Sequence, residues 1–244
     1  MKQSVQVVYA ESAAAAKRLA QEELFEYLRH YQGTPMLLLC SGGSSMDLLD
    51  NVPDIALGSW LTLGVTDDRM STDPKVNNFL QLRETAFGQA AEKAQVRFLS
   101  TVPRDGQSID EWSEDFENAL REWVNAHPAG KIVMTLGIGR DGHTIGIMPY
   151  PEDPLEFARL FTDSERWTVG YDVGTKNPHR LRLTLAPAFL TKHVDHTIVY
   201  HVGEEKRQSL LQVLDANGSF ADVPGRIVHQ LRDVKIVTEE RFRE

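Results

Sequence analysis

The chain has 244 residues, 41% of them apolar, with a formal charge of −9 at neutral pH and a pI near 5.4. That length and apolar share suit one α/β domain spanning 1–244 and exclude a disordered chain. The negative balance argues against nucleic acid and against an anionic membrane, but not against a small anionic ligand held by a few local donors. Cys40 is the only cysteine, so no intrachain disulfide can form, and neither a long apolar run nor a basic-then-apolar leader is present. A cytoplasmic protein is the expectation.

Gln3 to Tyr9 has the β-rich character of a first strand. Ser12 can cap the Ala-rich helix that follows to about Tyr31, with Leu19, Leu24 and Leu28 on its apolar face. Gly33 stops that helix, and Pro35 to Cys40 predicts a buried central strand. Ser41-Gly42-Gly43-Ser44-Ser45 then leads into a short helix from about Met46. A strand, a glycine turn and a helix start together present N–H groups and hydroxyls to an anion at the positive end of the dipole. No Gly-Lys-Ser/Thr follows, so this is not a Walker loop, and a tight turn with a serine cap is the plainer alternative.

Leu61 to Thr66 predicts a third strand, ending in Asp67-Asp68-Arg69, which is more charge than a turn needs for its geometry. A solvated charged turn is the other reading. Asn77 to Phe87 predicts a helix, and Val96 to Leu99 another strand. Ser108 to Asn125 predicts a long helix with Ile109, Trp112, Phe116, Leu120 and Trp123 or Val124 at helical spacing, a stripe that suits a core. Lys131 to Leu136 reads as a buried strand, followed by Gly137-Ile138-Gly139-Arg140-Asp141-Gly142-His143-Thr144. Glycine allows positive φ and close approach to the backbone, and ligands of open parallel sheets sit outside the carboxyl ends of the strands. Asp141 and His143 are therefore delivered to the edge where chemistry is expected; a glycine-rich turn with a surface histidine is the bland reading.

Pro149, Pro151 and Pro154 break the next stretch into a turn-rich connection. Trp167 to Val173 and Leu181 to Leu185 predict strands, the second carrying Arg182, which by spacing flanks an edge strand or else reaches a ligand. Thr197 to Val202 is another β run, ending in Gly203-Glu204-Glu205-Lys206, after which a helix continues through Leu210, Leu211 and Leu214. A lysine in the first turn opposes the helix dipole, so Lys206 is either tolerated at the surface or retained for an anion. Lys235 to Thr238 predicts the last strand. The other histidines show no metal-site spacing, and Ser41 and Ser44 lie in no Gly-x-Ser-x-Gly elbow. Strands alternate with helices, which predicts an α/β fold: a mainly parallel sheet with helices on both faces, a Rossmann-like three-layer sandwich.

Taken in order, Ser41 to Ser45, Asp67-Asp68-Arg69, Asn78, Gly137 to Thr144, Arg182 to Leu185 and Gly203 to Lys206 resemble the 6-phosphogluconolactonase family, which belongs with the glucosamine-6-phosphate deaminases. Two departures stand out. The family usually has Asp-Glu-Arg where this chain has Asp67-Asp68-Arg69, and a hydroxyl residue where it has Gly146. The resemblance implies hydrolysis of a phosphorylated sugar lactone to the open-chain acid, without metal or organic cofactor. It implies His143 as base, Asp141 as its support, and Ser44, Arg69 and Lys206 as the phosphate group. Gly42, Gly43, Asp67 and Arg182 complete the substrate site, with backbone N–H groups of the Gly42–Ser44 or Gly137–Gly142 turns facing the oxyanion. An isomerase or deaminase with Asp67 or Asp68 as carbon base, and a non-catalytic sugar-phosphate sensor, are the two rival readings.

Overall fold

Apolar runs and amphipathic helices alternate along the chain, yet they build two sheets rather than one. The computed structural model describes residues 4–50, 57–215 and 217–242; Gln3, where the pattern starts the first strand, lies outside them. In chain order the elements are β1 (Ser4–Ala10), α1 (Ala13–His30), β2 (Met36–Cys40), β3 (Leu61–Val65) and β4 (Asp67–Arg69). Next come α2 (Asn78–Glu84), α3 (Ala86–Lys93), β5 (Arg97–Phe98), α4 (Ile109–Ala126), β6 (Lys131–Leu136) and α5 (Pro154–Phe161). The chain ends with β7 (Thr168–Asp172), β8 (Leu181–Leu185), α6 (Pro187–His193), β9 (His196–Tyr200), α7 (Arg207–Leu214) and β10 (Asp233–Glu239).

The large sheet has the order β1-β10-β9-β6-β2-β3-β5, and every pairing in it is parallel. Side chains of a strand alternate between faces, so each buried strand feeds both sides of the sheet. In β2, Leu37 and Leu39 enter one core while Met36, Leu38 and Cys40 enter the other. The second core is closed by α1 through Ala16, Ala20, Leu24 and Leu28, with Phe79 and Leu82 of α2 and Phe87 of α3 beside them. On the opposite face α4 lays down Trp112, Phe116, Leu120 and Trp123, joined by Phe189 of α6 and Leu210 of α7. Helices thus cover both faces, as the alternation predicts.

Four local expectations change. Asp67-Asp68-Arg69 is not a charged turn: it is β4, which pairs antiparallel with β8 in a small sheet of order β4-β8-β7. Strand β8 is therefore central, and Arg182 is buried rather than flanking an edge. Spacing alone could not reveal this, because the partner strand is three residues long and wholly charged. The helix expected over 77–87 is two helices broken at Thr85, whose hydroxyl caps the second by accepting the Gly88 N–H at 2.9 Å. The helix expected from Met46 is a 3₁₀ segment, Gly43–Leu49. Helices α5 and α6, each opening on a proline, had no counterpart in the pattern; both are short, and proline fits the first helical turn.

Asp68 ties β4 to its surroundings. Its carboxylate accepts the N–H groups of Arg69 (2.7 Å), Asn78 (2.7 Å) and Phe79 (3.2 Å) and the Thr101 hydroxyl (2.6 Å). Burial pushes this carboxyl up to about 7, while the four donors pull it down. Removing the acceptor strands buried donors, each at a cost of about 1–3 kcal/mol. Urea denaturation of Asp68→Ala is expected to show a loss of at least about 3 kcal/mol, with Asp68→Asn intermediate because it keeps one oxygen.

His201, just past β9, has the opposite linkage. It is fully buried, and burial pushes its imidazole down to about 4. Between that value and the free value of about 6.5, the unfolded chain binds a proton that the fold refuses, so this group's contribution is lost as pH falls through that window. Asp68, raised in the fold, contributes a slope of opposite sign over an overlapping range. The difference between wild type and His201→Gln isolates the histidine: the stability advantage of wild type is expected to shrink by up to about 3 kcal/mol from pH 6.5 to 4.

Candidate active site

Strand order reverses between β2 and β6. From β2 the chain steps outward through β3 and β5; from β6 it steps the other way through β9 and β10. The loops leaving these two neighbours part in opposite directions, and the crevice between them is where open α/β sheets place ligands. A cleft of about 380 Å³ lies there, lined by the loops after β2, β6 and β9, by β4 and β8, and by Asn78 at the start of α2.

The loop after β2 is fixed at its root by the Ser41 N–H, which donates to Thr135 Oγ1 of β6 at 3.0 Å. Gly43 has φ +66°, and the 3₁₀ segment that begins there leaves its first N–H groups without intrahelical partners at the cleft. A β-carbon on Gly42 would lie 2.4 Å from Asn78 Oδ1, so only glycine lets the loop pass this side chain. Asn78 in turn donates to the Asp67 carbonyl at 2.8 Å and accepts from Arg69 Nη1 at 2.9 Å; the same Nη1 reaches the Val76 carbonyl. Arg69 is held on one flank of the loop. Lys206 occupies the other, its Nζ 3.4 Å from Ser44 Oγ. Burial lowers the Lys206 ammonium below its ordinary value, and Glu205 offsets part of that.

The loop after β6 carries the histidine. His143 Nδ1 lies 2.5 Å from Asp141 Oδ1, which also accepts the His143 backbone N–H at 3.1 Å. Burial would raise the Asp141 carboxyl, but the hydrogen bonds and charge of His143 hold it below the usual range. With Nδ1 engaged, Nε2 is the nitrogen left free. The ring packs against Gly139, where a β-carbon would stand 2.1 Å from Cε1 and 2.2 Å from Nδ1. Gly142 has φ +81°, and its carbonyl accepts the Gly225 N–H at 2.9 Å, which anchors the far side of the turn.

Beyond His143 the backbone turns sharply between Thr144 and Ile147, which exchange N–H···O bonds. The two central residues both have positive φ, +42° at Ile145 and +75° at Gly146. A β-branched residue in that region is strained, and the strain is held by neighbours. The Thr184 hydroxyl donates to the Ile145 carbonyl, and Tyr171 donates to the Gly146 carbonyl at 2.5 Å. Both come from the small sheet. Gly146 faces Asp67, whose Oδ2 a β-carbon would approach to 2.9 Å.

Asp67 and Arg182 meet across β4 and β8, with Nη1 3.5 Å from Oδ2 and both side chains buried. Asp67 Oδ1 also accepts the Thr66 hydroxyl, and Arg182 Nε donates to the His179 carbonyl. Desolvation lowers the Arg182 guanidinium, against the attraction of Asp67.

Gly42, Gly43, Ser44, Asp67, Arg69, His143, Arg182 and Lys206 all line the cleft, and Asp141 touches it through His143. Asp68 does not line it; its oxygens face α2 and Thr101 instead. Sequence reasoning missed Asn177, which reaches the cleft from the connection between β7 and β8 and had no pattern to mark it. Among the described residues no group of three or more His, Cys, Asp or Glu is gathered to hold a metal ion.

The family described as glucosamine-6-phosphate isomerases/6-phosphogluconolactonase matches residues 10–237. The chain belongs to that family. No curated protein matches it. Among solved structures it is similar to 6-phosphogluconolactonase from Trypanosoma cruzi, at 18% identity over 99% of this chain and 97% of that one, with a TM-score of 0.76. It is similar also to the Trypanosoma brucei 6-phosphogluconolactonase (20% identity, 99% and 98% covered, TM-score 0.73) and to one from Shewanella baltica (20%, 98% and 98%, 0.73). At these identities the likeness is one of fold. It runs over nearly the whole chain.

Gly139 gives a direct structural test. In a crystal structure of Gly139→Ala the His143 ring is expected to be swung off the backbone, with its 2.5 Å contact to Asp141 broken. An unmoved ring would mean that the backbone yields instead.

Proposed function

We propose that the chain hydrolyses 6-phosphogluconolactone, or a closely related phosphorylated sugar lactone, to the open-chain acid, as a cytoplasmic enzyme of the pentose phosphate pathway formed by one domain. The observation that carries this reading is the His143–Asp141 pair at the cleft, with Nε2 free to accept a proton. Membership of a family that includes 6-phosphogluconolactonases supports it.

His143 Nε2 takes a proton from water as the oxygen attacks the lactone carbonyl. Asp141 holds the tautomer with the proton on Nδ1 and stabilises the imidazolium that forms. The tetrahedral oxyanion is met by N–H groups of the Gly42–Ser44 or Gly137–Gly142 turns. Collapse breaks the ring C–O bond, and the imidazolium returns its proton to the departing oxygen. The phosphate is held by Ser44, Arg69 and Lys206, while Asp67 and Arg182 take sugar hydroxyls; anchoring the remote phosphate orients the carbonyl for attack.

An isomerase or deaminase reading would need a free carboxylate as carbon base. Among the described residues Asp67 is the one carboxylate that lines the cleft, and its oxygens are engaged by Arg182 and the Thr66 hydroxyl. A sensor would need no histidine–aspartate pair. No helix among the described residues is long and apolar enough to cross a membrane.

Hydrolysis of freshly made 6-phosphogluconolactone, corrected for the spontaneous rate, is the test. Wild type is expected to turn it over, and His143→Ala to lose about 10²–10⁴-fold in kcat. Gly139→Ala is expected to fall about 100-fold through displacement of the ring. Wild-type protein without turnover, or His143→Ala at the wild-type rate, would sink the proposal.

A further inference from the structure

We infer that His201 is a positioning residue for the phosphate subsite, acting through the backbone carbonyl of Lys206. The inference rests on the reading of Lys206 as a phosphate-binding cation.

His201 follows β9 directly, and its own N–H donates to the Val237 carbonyl of β10 at 3.1 Å, so the ring starts from a fixed point on the sheet. Its Nε2 lies 2.9 Å from the Lys206 carbonyl. A carbonyl only accepts, so the proton is on Nε2 and Nδ1 carries the lone pair. That Nδ1 is buried with no partner. A histidine that merely filled space would be better replaced by an apolar ring, because an unpartnered buried nitrogen is destabilising. The one polar contact that sets this side chain apart is the bond to Lys206.

Other bonds converge on the same short turn. Ser209 Oγ donates to the Lys206 carbonyl at 2.8 Å, the Lys206 N–H donates to the Gly203 carbonyl at 2.9 Å, and the Gly203 N–H donates to Glu239 Oε2 at 2.9 Å. Gly203 has φ +103°, which lets the chain double back from the sheet edge. Lysine has a long stem and much rotamer freedom, so directing its ammonium at an anion depends on a fixed backbone origin. His201 and Ser209 clamp that origin from the core, and the ammonium emerges beside Ser44. Nothing in the sequence around His201 marks this role, since its partner is a carbonyl.

Calorimetric titration with 6-phosphogluconate tests the inference on wild type, Lys206→Ala, His201→Phe, His201→Gln and the His201→Phe/Lys206→Ala double variant. His201→Phe is expected to weaken binding about tenfold, and His201→Gln, whose amide nitrogen falls near Nε2, to recover most of it. The double variant is expected to bind no more weakly than Lys206→Ala alone, because both act through one ammonium. A merely structural role would give additive losses. Where His201→Phe does not fold, His201→Asn serves: its amide stops near Nδ1, so it should lose affinity that His201→Gln keeps. Wild-type affinity in His201→Phe or His201→Asn, additive losses, or a Lys206→Ala variant that binds normally would each overturn the inference. The last of these leaves lactone hydrolysis standing on turnover, whereas a wild type that binds 6-phosphogluconate without turning over the lactone defeats only the hydrolase reading.

Discussion

The reversal of strand order between β2 and β6 is the constraint from which the site follows. Adjacent parallel strands whose connections run to opposite sides cannot close the space above their carboxyl ends. Here the Ser41 N–H to Thr135 hydroxyl bond fixes the two loops at their roots, and the loops then diverge. One supplies the N–H groups that open a 3₁₀ segment and a serine, the other a histidine and its carboxylate. Neither loop holds a complete site.

Local charge in the cleft runs against the chain as a whole. The protein carries −9 overall, yet among the described residues Arg69, Arg140, Arg182 and Lys206 line a space to which Asp67 contributes the one carboxylate. Arg182 is drawn partly toward Asp67, and Arg140 lies 3.7 Å from Glu205, so the field is moderated at two points. What remains is concentrated on the flanks of the Gly42–Ser44 loop. An acidic exterior with a cationic cleft discourages polyanions while admitting a small one.

The small antiparallel sheet has a part that layer diagrams of the fold understate. It braces the strained Ile145–Gly146 turn through the hydroxyls of Thr184 and Tyr171, and it carries Asp67 and Arg182 to the cleft wall. Gly146 and Asp67 are matched in space: a residue with a side chain at 146 would collide with the carboxylate. The glycine that departs from the family pattern therefore belongs with this particular cleft wall. Asp68, the other departure, has become a capping and tethering group for α2, away from the chemistry.

Much of this was legible from the amino-acid order. The buried runs at β2, β3, β6 and β9 and the stripe of α4 declare themselves by periodicity, because burial of one or both faces leaves a repeating apolar signature. The glycine loops after β2 and β6 declare themselves because positive φ and close approach demand glycine at Gly43, Gly139 and Gly142. His143 with Asp141 is a contact of near neighbours, visible in the order of residues. Contacts between distant segments were decided only in three dimensions. The pairing of β4 with β8 buried an arginine that spacing assigned to an edge, Asn177 arrived from a connection with no pattern, and His201 found a partner in a backbone carbonyl. A backbone carbonyl has no side-chain identity, and a strand of three charged residues has no hydrophobic period, so neither leaves a mark in sequence.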